Sequence, residues 1–349
     1  MGFSLPRLGA LAALLLGLGV CGAQAQGAPA LAPAGPAPGG VDPFVQVREM
    51  GRGLNILGYD PIWTDPAKAR FRLHHFEAIR NAGFSTVRIN LQAFAHMDAQ
   101  NRLDPLWATR LDRVVKAATA RGLKVILDEH DFNICGENVS ACAPRLTAFW
   151  RQIGYLYASA PDSLLFEILN EPNGQLNDET WNRLLAVELA EIRSTNPTRN
   201  VIIGPAFWNS PDHLNALKLP LGDRHIIVTV HYYTPMEFTH QGASWVAQYA
   251  RLSGVHWGTD AEKARVDADF DAVQAWSRSH NRPILLGEFG AYDKAPMADR
   301  VVWTSTVARA AEKRGWAWAY WQFDSDFIVW DMAKDAWVLP IKEALLPPS

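Results

Sequence analysis

Beyond residue 50 the chain alternates between short, nearly unbroken apolar runs and longer segments whose apolar residues recur at helical spacing. Eight runs read as strands: 52–58, 85–91, 123–130, 164–170, 200–205, 225–231, 282–288 and 316–322. Val125-Ile126-Leu127 and Ile226-Ile227-Val228 show the type, apolar on both faces, as parallel strands covered on both sides require. Between them, 67–82 places Phe71, His75, Ile79 and Ala82 on one helical face, and 107–121 does so with Leu111, Val114, Val115 and Ala118. Residues 179–194, 266–279 and 298–313 behave alike. A strand–helix alternation of this length predicts an α/β fold, a single (β/α)8 TIM barrel. An open doubly wound sheet would favour a glycine-rich phosphate loop after its first strand, and Gly58-Tyr59-Asp60-Pro61 is not one.

The N-terminus follows a different pattern. Arg7, an apolar run from Leu8 to Val20 and Ala23-Gln24-Ala25 make residues 1–25 a secretory signal peptide, too short in its apolar part to span a bilayer. A lipoprotein anchor at Cys21 is the weaker reading, because Val20 is not the small residue expected before it. Residues 26–42 are mostly Ala, Pro and Gly and read as a flexible segment. The folded domain is then 43–349, secreted or periplasmic, without stable membrane insertion. Cleavage would leave Cys135 and Cys142 in an oxidising compartment, where a disulfide closing a small loop is expected and two free thiols are the alternative. A zinc site is disfavoured, since no C-x-x-C or suitably spaced His accompanies the pair.

Composition narrows the function classes. A hydrophobic fraction of 48% and a net charge of −3 exclude a mainly disordered chain and give no footprint for nucleic acid. The 14 tryptophans are unusual, and Trp both fills cores and stacks on flat ligand faces.

In a barrel of this kind the active site lies at the C-terminal ends of the strands. That rule gathers Asn55, Arg88, Asn90, Asp128-Glu129-His130, Asn170-Glu171-Pro172, Trp208, His231-Tyr232-Tyr233, Gly287-Glu288-Phe289-Gly290 and Trp321 around one mouth. Glu171 and Glu288 each end a strongly apolar strand, where a carboxylate is rare without a purpose. An ion pair with Arg88 would explain one isolated glutamate. Two, on opposite strands and among amides and aromatics, match the pair of carboxyls that glycoside hydrolysis needs.

Leu169-Asn170-Glu171-Pro172-Asn173 and Gly287-Glu288-Phe289-Gly290 resemble the two signatures of glycoside hydrolase family 5. Val87-Arg88-Ile89-Asn90, Asp128-Glu129-His130, His231-Tyr232-Tyr233 and Trp321 follow that family's order, and the stretch from Phe238 to Ala243 with Trp245 resembles a bacterial endoglucanase and mannanase branch. The resemblance implies a retaining double displacement with Glu171 as acid/base and Glu288 as nucleophile. It implies that Asn170 holds the sugar 2-hydroxyl, His231 sits beside the acid/base, Tyr233 donates to Glu288 and Arg88 keeps Glu288 ionised. It also implies that His130 reaches a substrate hydroxyl and Trp321 stacks on the sugar. Distinct neighbours should push the two glutamate pKa values apart.

The remaining expectations are secondary. Glu129 should point behind the barrel to an ion pair. His240 and Gln241 are candidates for flanking sugars, as are Trp63, Trp208, Trp245 and Trp257, with loop packing the alternative. The doublet His74-His75 is structural, because adjacent residues do not share a helix face. No metal and no cofactor are expected. The partner is a polysaccharide or oligosaccharide, the molecule a monomer. The preferred reading is an endo-β-1,4-glucanase, followed by a β-mannanase or a β-1,3-glucan-active hydrolase. A transglycosylase would use the same intermediate. A non-catalytic glycan-binding barrel is the alternative of a different class.

Overall fold

Eight parallel strands pair in chain order and close on themselves: β1 (Arg52–Ile56), β2 (Thr86–Leu91), β3 (Lys124–Glu129), β4 (Leu164–Glu167), β5 (Val201–Ile203), β6 (Ile226–Tyr232), β7 (Ile284–Phe289) and β8 (Ala317–Tyr320). The closing seam pairs Gly53 of β1 with Ala319 of β8. This computed structural model describes residues 39–348. The signal-peptide reading of 1–25, and the flexible segment up to residue 38, lie outside the described residues.

The alternation of side chains along each strand sorts the core into two parts. One parity faces the surrounding helices and builds the large apolar cluster around Trp107, Trp150, Trp181, Trp303 and Trp318. The other parity faces the barrel axis. Ile126, Leu165, Ile202, Ile227, Leu285 and Ala317 form an apolar layer there, closed from below by Val47 and Met50 of α1 (Pro43–Met50). Asp42 caps α1 by accepting from the Phe44 and Val45 amides, ahead of Pro43. The axial residues one step further along the strands are polar, and they carry the site.

The connections depart from the simple alternation in three places. The helix expected over 67–82 begins only at His75 and is α2 (His75–Ala82). Pro61 and Pro66 start one-turn 3₁₀ segments behind the caps Asp60 and Asp65, and Asp60 also accepts from the Phe71 amide, so this stretch is a strapped loop. After α3 (Pro105–Thr119) and β3, the sequence reading gives only a small cysteine loop. The structure forms α4 (Phe132–Glu137) and α5 (Val139–Leu156) there, the second masked by Pro144 inside it. After β5 no long helix follows, only a four-residue turn at Ala206–Asn209 and a 3₁₀ turn at Pro211–Ala216. Cys135 and Cys142 are joined in a disulfide between α4 and α5, with Cα atoms 4.9 Å apart.

A buried acid lies between two of the outer helices. Glu188, on α6 (Asp178–Thr195), accepts from Thr147 Oγ1 of α5 at 2.6 Å, and its other oxygen has no partner among the described residues. Burial pushes its pKa up to about 8. A carboxyl raised on folding gives stability that is complete below its unfolded pKa and lost as pH rises through the folded one. Between pH 4.5 and 8 this group should cost up to about 5 kcal/mol. Glu188→Gln is expected to flatten the fall in urea midpoint over that window relative to the parent. Parallel curves for the two proteins would refute it.

Candidate active site

Arg88 occupies the barrel axis above the apolar layer, fully buried. Its Nε and Nη2 donate to Glu167 at 2.7 and 2.8 Å, Nη1 to Glu288 at 2.8 Å, and Asp128 stands 3.1 Å away. One guanidinium thus serves three carboxylates, a task that suits its fixed fork of donors. Arg88 also donates to Asn55 Oδ1 at 2.8 Å and Asn170 Oδ1 at 2.9 Å. Asn55 is fully buried and donates to the Gly287 and Ala319 carbonyls, so it braces Arg88 and does not line the cleft. The sequence reading does not single out Glu167. Its signal was a lone acid inside the apolar run 164–170.

Glu171 and Glu288 both approach His231 Nδ1, at 2.8 and 3.6 Å, with one oxygen from each carboxyl and a His231 nitrogen all within 4.8 Å of one another. A bulge produces this arrangement. Val230 pairs with Leu286, but the next residue, His231, pairs with Glu288, so Gly287 is the extra residue of β7. A Cβ at Gly287 would collide with Thr229 Oγ1 and approach His231 Nε2 to 3.0 Å, which restricts the position to glycine. On the other side, Glu171 has φ +41°, a left-handed conformation that is strained for glutamate.

Each carboxyl has its own donors. Glu288 accepts from Arg88 and from Tyr233 Oη at 2.9 Å. Among the described residues Glu171 accepts only from His231 Nδ1, at 2.8 Å. Asn209 Nδ2 lies 3.2 Å from His231 Nε2 and donates to it, which leaves the proton on Nδ1. Asn209 is absent from the sequence expectations. It ends a run, Phe207 to Asn209, with positive φ. Tyr59, three residues beyond β1, is also new: much of its side chain is exposed, while local desolvation and then the charges of Glu288 and Glu171 raise its pKa.

Burial dominates the electrostatics. It pushes Glu171 up to about 7 and His231 down to about 4, which keeps the imidazole neutral. Glu288 is also raised, first by burial and then by the Glu171 charge, against the pull of His231 and Arg88. Arg88 pulls Glu288 down, as expected, but burial outweighs that pull. The asymmetry between the glutamates lies in their donors.

Around the rim, His130 Nδ1 meets Asp128 Oδ2 at 2.6 Å, and its ring lies parallel to Trp321 at 5.6 Å. Asn170 Nδ2 is buried without a partner among the described residues. His240 packs edge-on against Tyr233 and bonds Thr239 Oγ1. Gln241 is not available to sugars: its side chain is fully buried and spent on the backbone of Phe238 and Val255. Trp63 and Trp257 are likewise packed inward, whereas Trp208 and Trp245 are 53% and 52% exposed. Glu129 does face away from the axis, but no cation among the described residues meets it. It accepts the Asp131 amide, and burial drives its pKa well above the carboxylate range.

Among the described residues two side-chain clusters have the spacing of a metal site, Glu171–His231–Glu288 and His74–His75–Asp335. Both use their imidazole otherwise. His231 Nε2 accepts from Asn209, so Nδ1 bears the hydrogen given to Glu171. His75 Nδ1 accepts the Arg72 amide, so Nε2 bears the hydrogen facing Asp335.

The family model for Cellulase (glycosyl hydrolase family 5) matches residues 47–326. The chain belongs to glycosyl hydrolase family 5. Endoglucanase H of Acetivibrio thermocellus is 32% identical over 330 residues, which is 91% of this chain and 35% of that one. This family 5 chain therefore spans about a third of that relative's length. Endoglucanase Cel5A of Thermotoga maritima superposes with a TM-score of 0.84 at 38% identity, covering 88% of this chain and 100% of its own. The same Cel5A with mannotriose gives 0.83 at 38% identity, over 87% and 100% of the two chains.

Proposed function

We propose that this family 5 chain is a retaining endo-β-1,4-glucanase, with Glu288 as nucleophile and Glu171 as general acid and base. The observation that carries the reading is the close pair of carboxyls at the strand ends, within 4.8 Å, with unequal donors. Such closeness fits the retaining spacing of about 5–5.5 Å better than the inverting spacing of about 6.5–9.5 Å. Like charges this close favour one shared proton. It belongs on Glu171, because Glu288 already accepts two hydrogen bonds and Glu171 one.

The chemistry follows. The ionised Glu288 attacks the anomeric carbon while Glu171 passes its proton to the departing glycosidic oxygen. His231 donates to one Glu171 oxygen and so leaves the other to carry that proton. Tyr233 and Arg88 hold the nucleophile in line. In the second half Glu171, now ionised, takes a proton from water, which attacks the glycosyl–Glu288 ester and frees Glu288. Asn170 Nδ2 and the face of Trp321 are placed to receive the sugar.

The buried disulfide also favours reading 1–25 as an export signal, with the enzyme working outside the cytoplasm. The mature domain should cut β-1,4-glucan internally and release products first as the β-anomer, seen by proton NMR. A panel with mixed-linkage glucan, β-1,3-glucan and β-mannan fixes the linkage; the mannotriose complex of Cel5A makes β-mannan the second substrate to test. Initial release of the α-anomer would refute retention. No cleavage of any member by folded protein would favour a glycan-binding role.

A further inference from the structure

We infer that the Cys135–Cys142 disulfide, acting through Gly136, is a positioning device for Glu171; this rests on Glu171 being the general acid. The left-handed backbone at Glu171 has to be imposed by its surroundings. Asn173 Nδ2 donates to the Glu171 carbonyl at 2.9 Å. Asn173 and Gly174 in turn lie flat against Gly136 of α4. A Cβ at Gly136 would stand 2.5 Å from Asn173 Oδ1, and one at Gly174 2.6 Å from the Gly136 carbonyl. Gly136 and Glu137 also accept from Gln175, through its amide at 2.8 Å and its side chain at 2.6 Å. The loop that carries the acid is thus docked, backbone to backbone, on α4.

α4 does not hold itself in place. It has six residues, too few for a helix to be stable by itself. The disulfide ties it to the first turn of α5, and both cysteines are fully buried. The 18-residue α5 is anchored in the core by Leu146, Phe149, Trp150 and Ile153, and Trp150 Nε1 donates to the Ile168 carbonyl just before Glu171. A continuous path therefore runs from the core through α5, the disulfide and Gly136 to the acid's own peptide. The nucleophile is outside it: Glu288 is held by Arg88, Tyr233 and the bulge. Loss of the disulfide should misplace the acid and leave the nucleophile where it is.

Leaving-group chemistry separates these two effects. In cleavage of cellotetraose the departing sugar must be protonated. In 2,4-dinitrophenyl β-cellobioside the phenolate departs without a proton. For Cys135→Ala/Cys142→Ala, kcat/KM on cellotetraose should fall about tenfold or more, as displacements of an ångström do in active sites. On the activated glycoside it should stay within about twofold. Turnover of the activated glycoside is then its own proof of folding. Gly174→Ala, with the disulfide intact, pushes against the Gly136 carbonyl and should give the same selective loss; it decides the matter if the cysteine variant does not fold. Equal losses on both substrates, or none on either, would overturn the inference. Glu171→Ala runs beside them and should show the same selectivity more strongly. If its losses are equal on both substrates, the acid assignment itself fails.

Discussion

Glu288→Gln is expected to lower kcat/KM on β-1,4-glucan by roughly 10⁴-fold or more, with the fold intact. The amide is isosteric and can still accept from Arg88, and the Tyr233 hydroxyl can rotate to meet it. What it cannot do is form the glycosyl ester. The same position tests the role as well as the importance of the residue. Glu288→Ala opens space beside the anomeric carbon, and azide there should attack an activated aryl glycoside from the nucleophile's side. The product would be an α-glycosyl azide, of opposite configuration to the β-substrate, because one displacement replaces two. Retention of more than about a tenth of the parent rate by Glu288→Gln would remove this residue from the reaction. A β-azide would move the nucleophile elsewhere.

Arg88→Met should produce the largest change in stability. The substitution leaves Asp128, Glu167 and Glu288 as buried carboxylates with no cation among them. Breaking a single buried pair by removing one partner costs about 3–5 kcal/mol, and here one removal orphans three acids. The loss should be greatest at high pH and recede as the carboxyls take up protons on acidification. Arg88→Lys should rescue only a part, since a point charge cannot reproduce the two-pronged contact with Glu167 while reaching Glu288 and Asn55. Urea unfolding at pH 5 and 8 measures both effects. A destabilisation of Arg88→Met below about 1 kcal/mol at pH 8 would contradict the geometry.

These two residues also mark what a reader of the sequence could and could not see. The strands were legible because buried parallel strands are apolar on both faces, and every one of the eight runs overlaps a strand of the barrel. Glu171 and Glu288 stood out because each acid closes such a run. Glu167 was hidden by its position inside a run, and its partner Arg88 comes from a strand 79 residues away in sequence. Gln241 and Asn55 looked like ligand contacts because an amide's chemistry is the same whether it meets a sugar or a carbonyl; only packing distinguishes them. The α5 helix was obscured by Pro144, and α1 by its place beside the Ala/Pro/Gly segment. The bulge could not be read at all, since one extra residue leaves the hydrophobic pattern of β7 unchanged.

That bulge makes a residue with no functional group a catalytic requirement. Side chains in a strand alternate with a period of two, and Leu286 faces the helices, so a regular strand of the same sequence would aim 287 at the axis and 288 at the helices. A side chain at Gly287 that the bulge cannot hold would leave every catalytic residue type present and the eight strands able to pair. The proposed nucleophile would nonetheless be turned out of the cleft, and a comparison of composition or motif content would register almost no loss. Substitutions of Gly287 should therefore be rejected by selection more severely than most other single substitutions in β7.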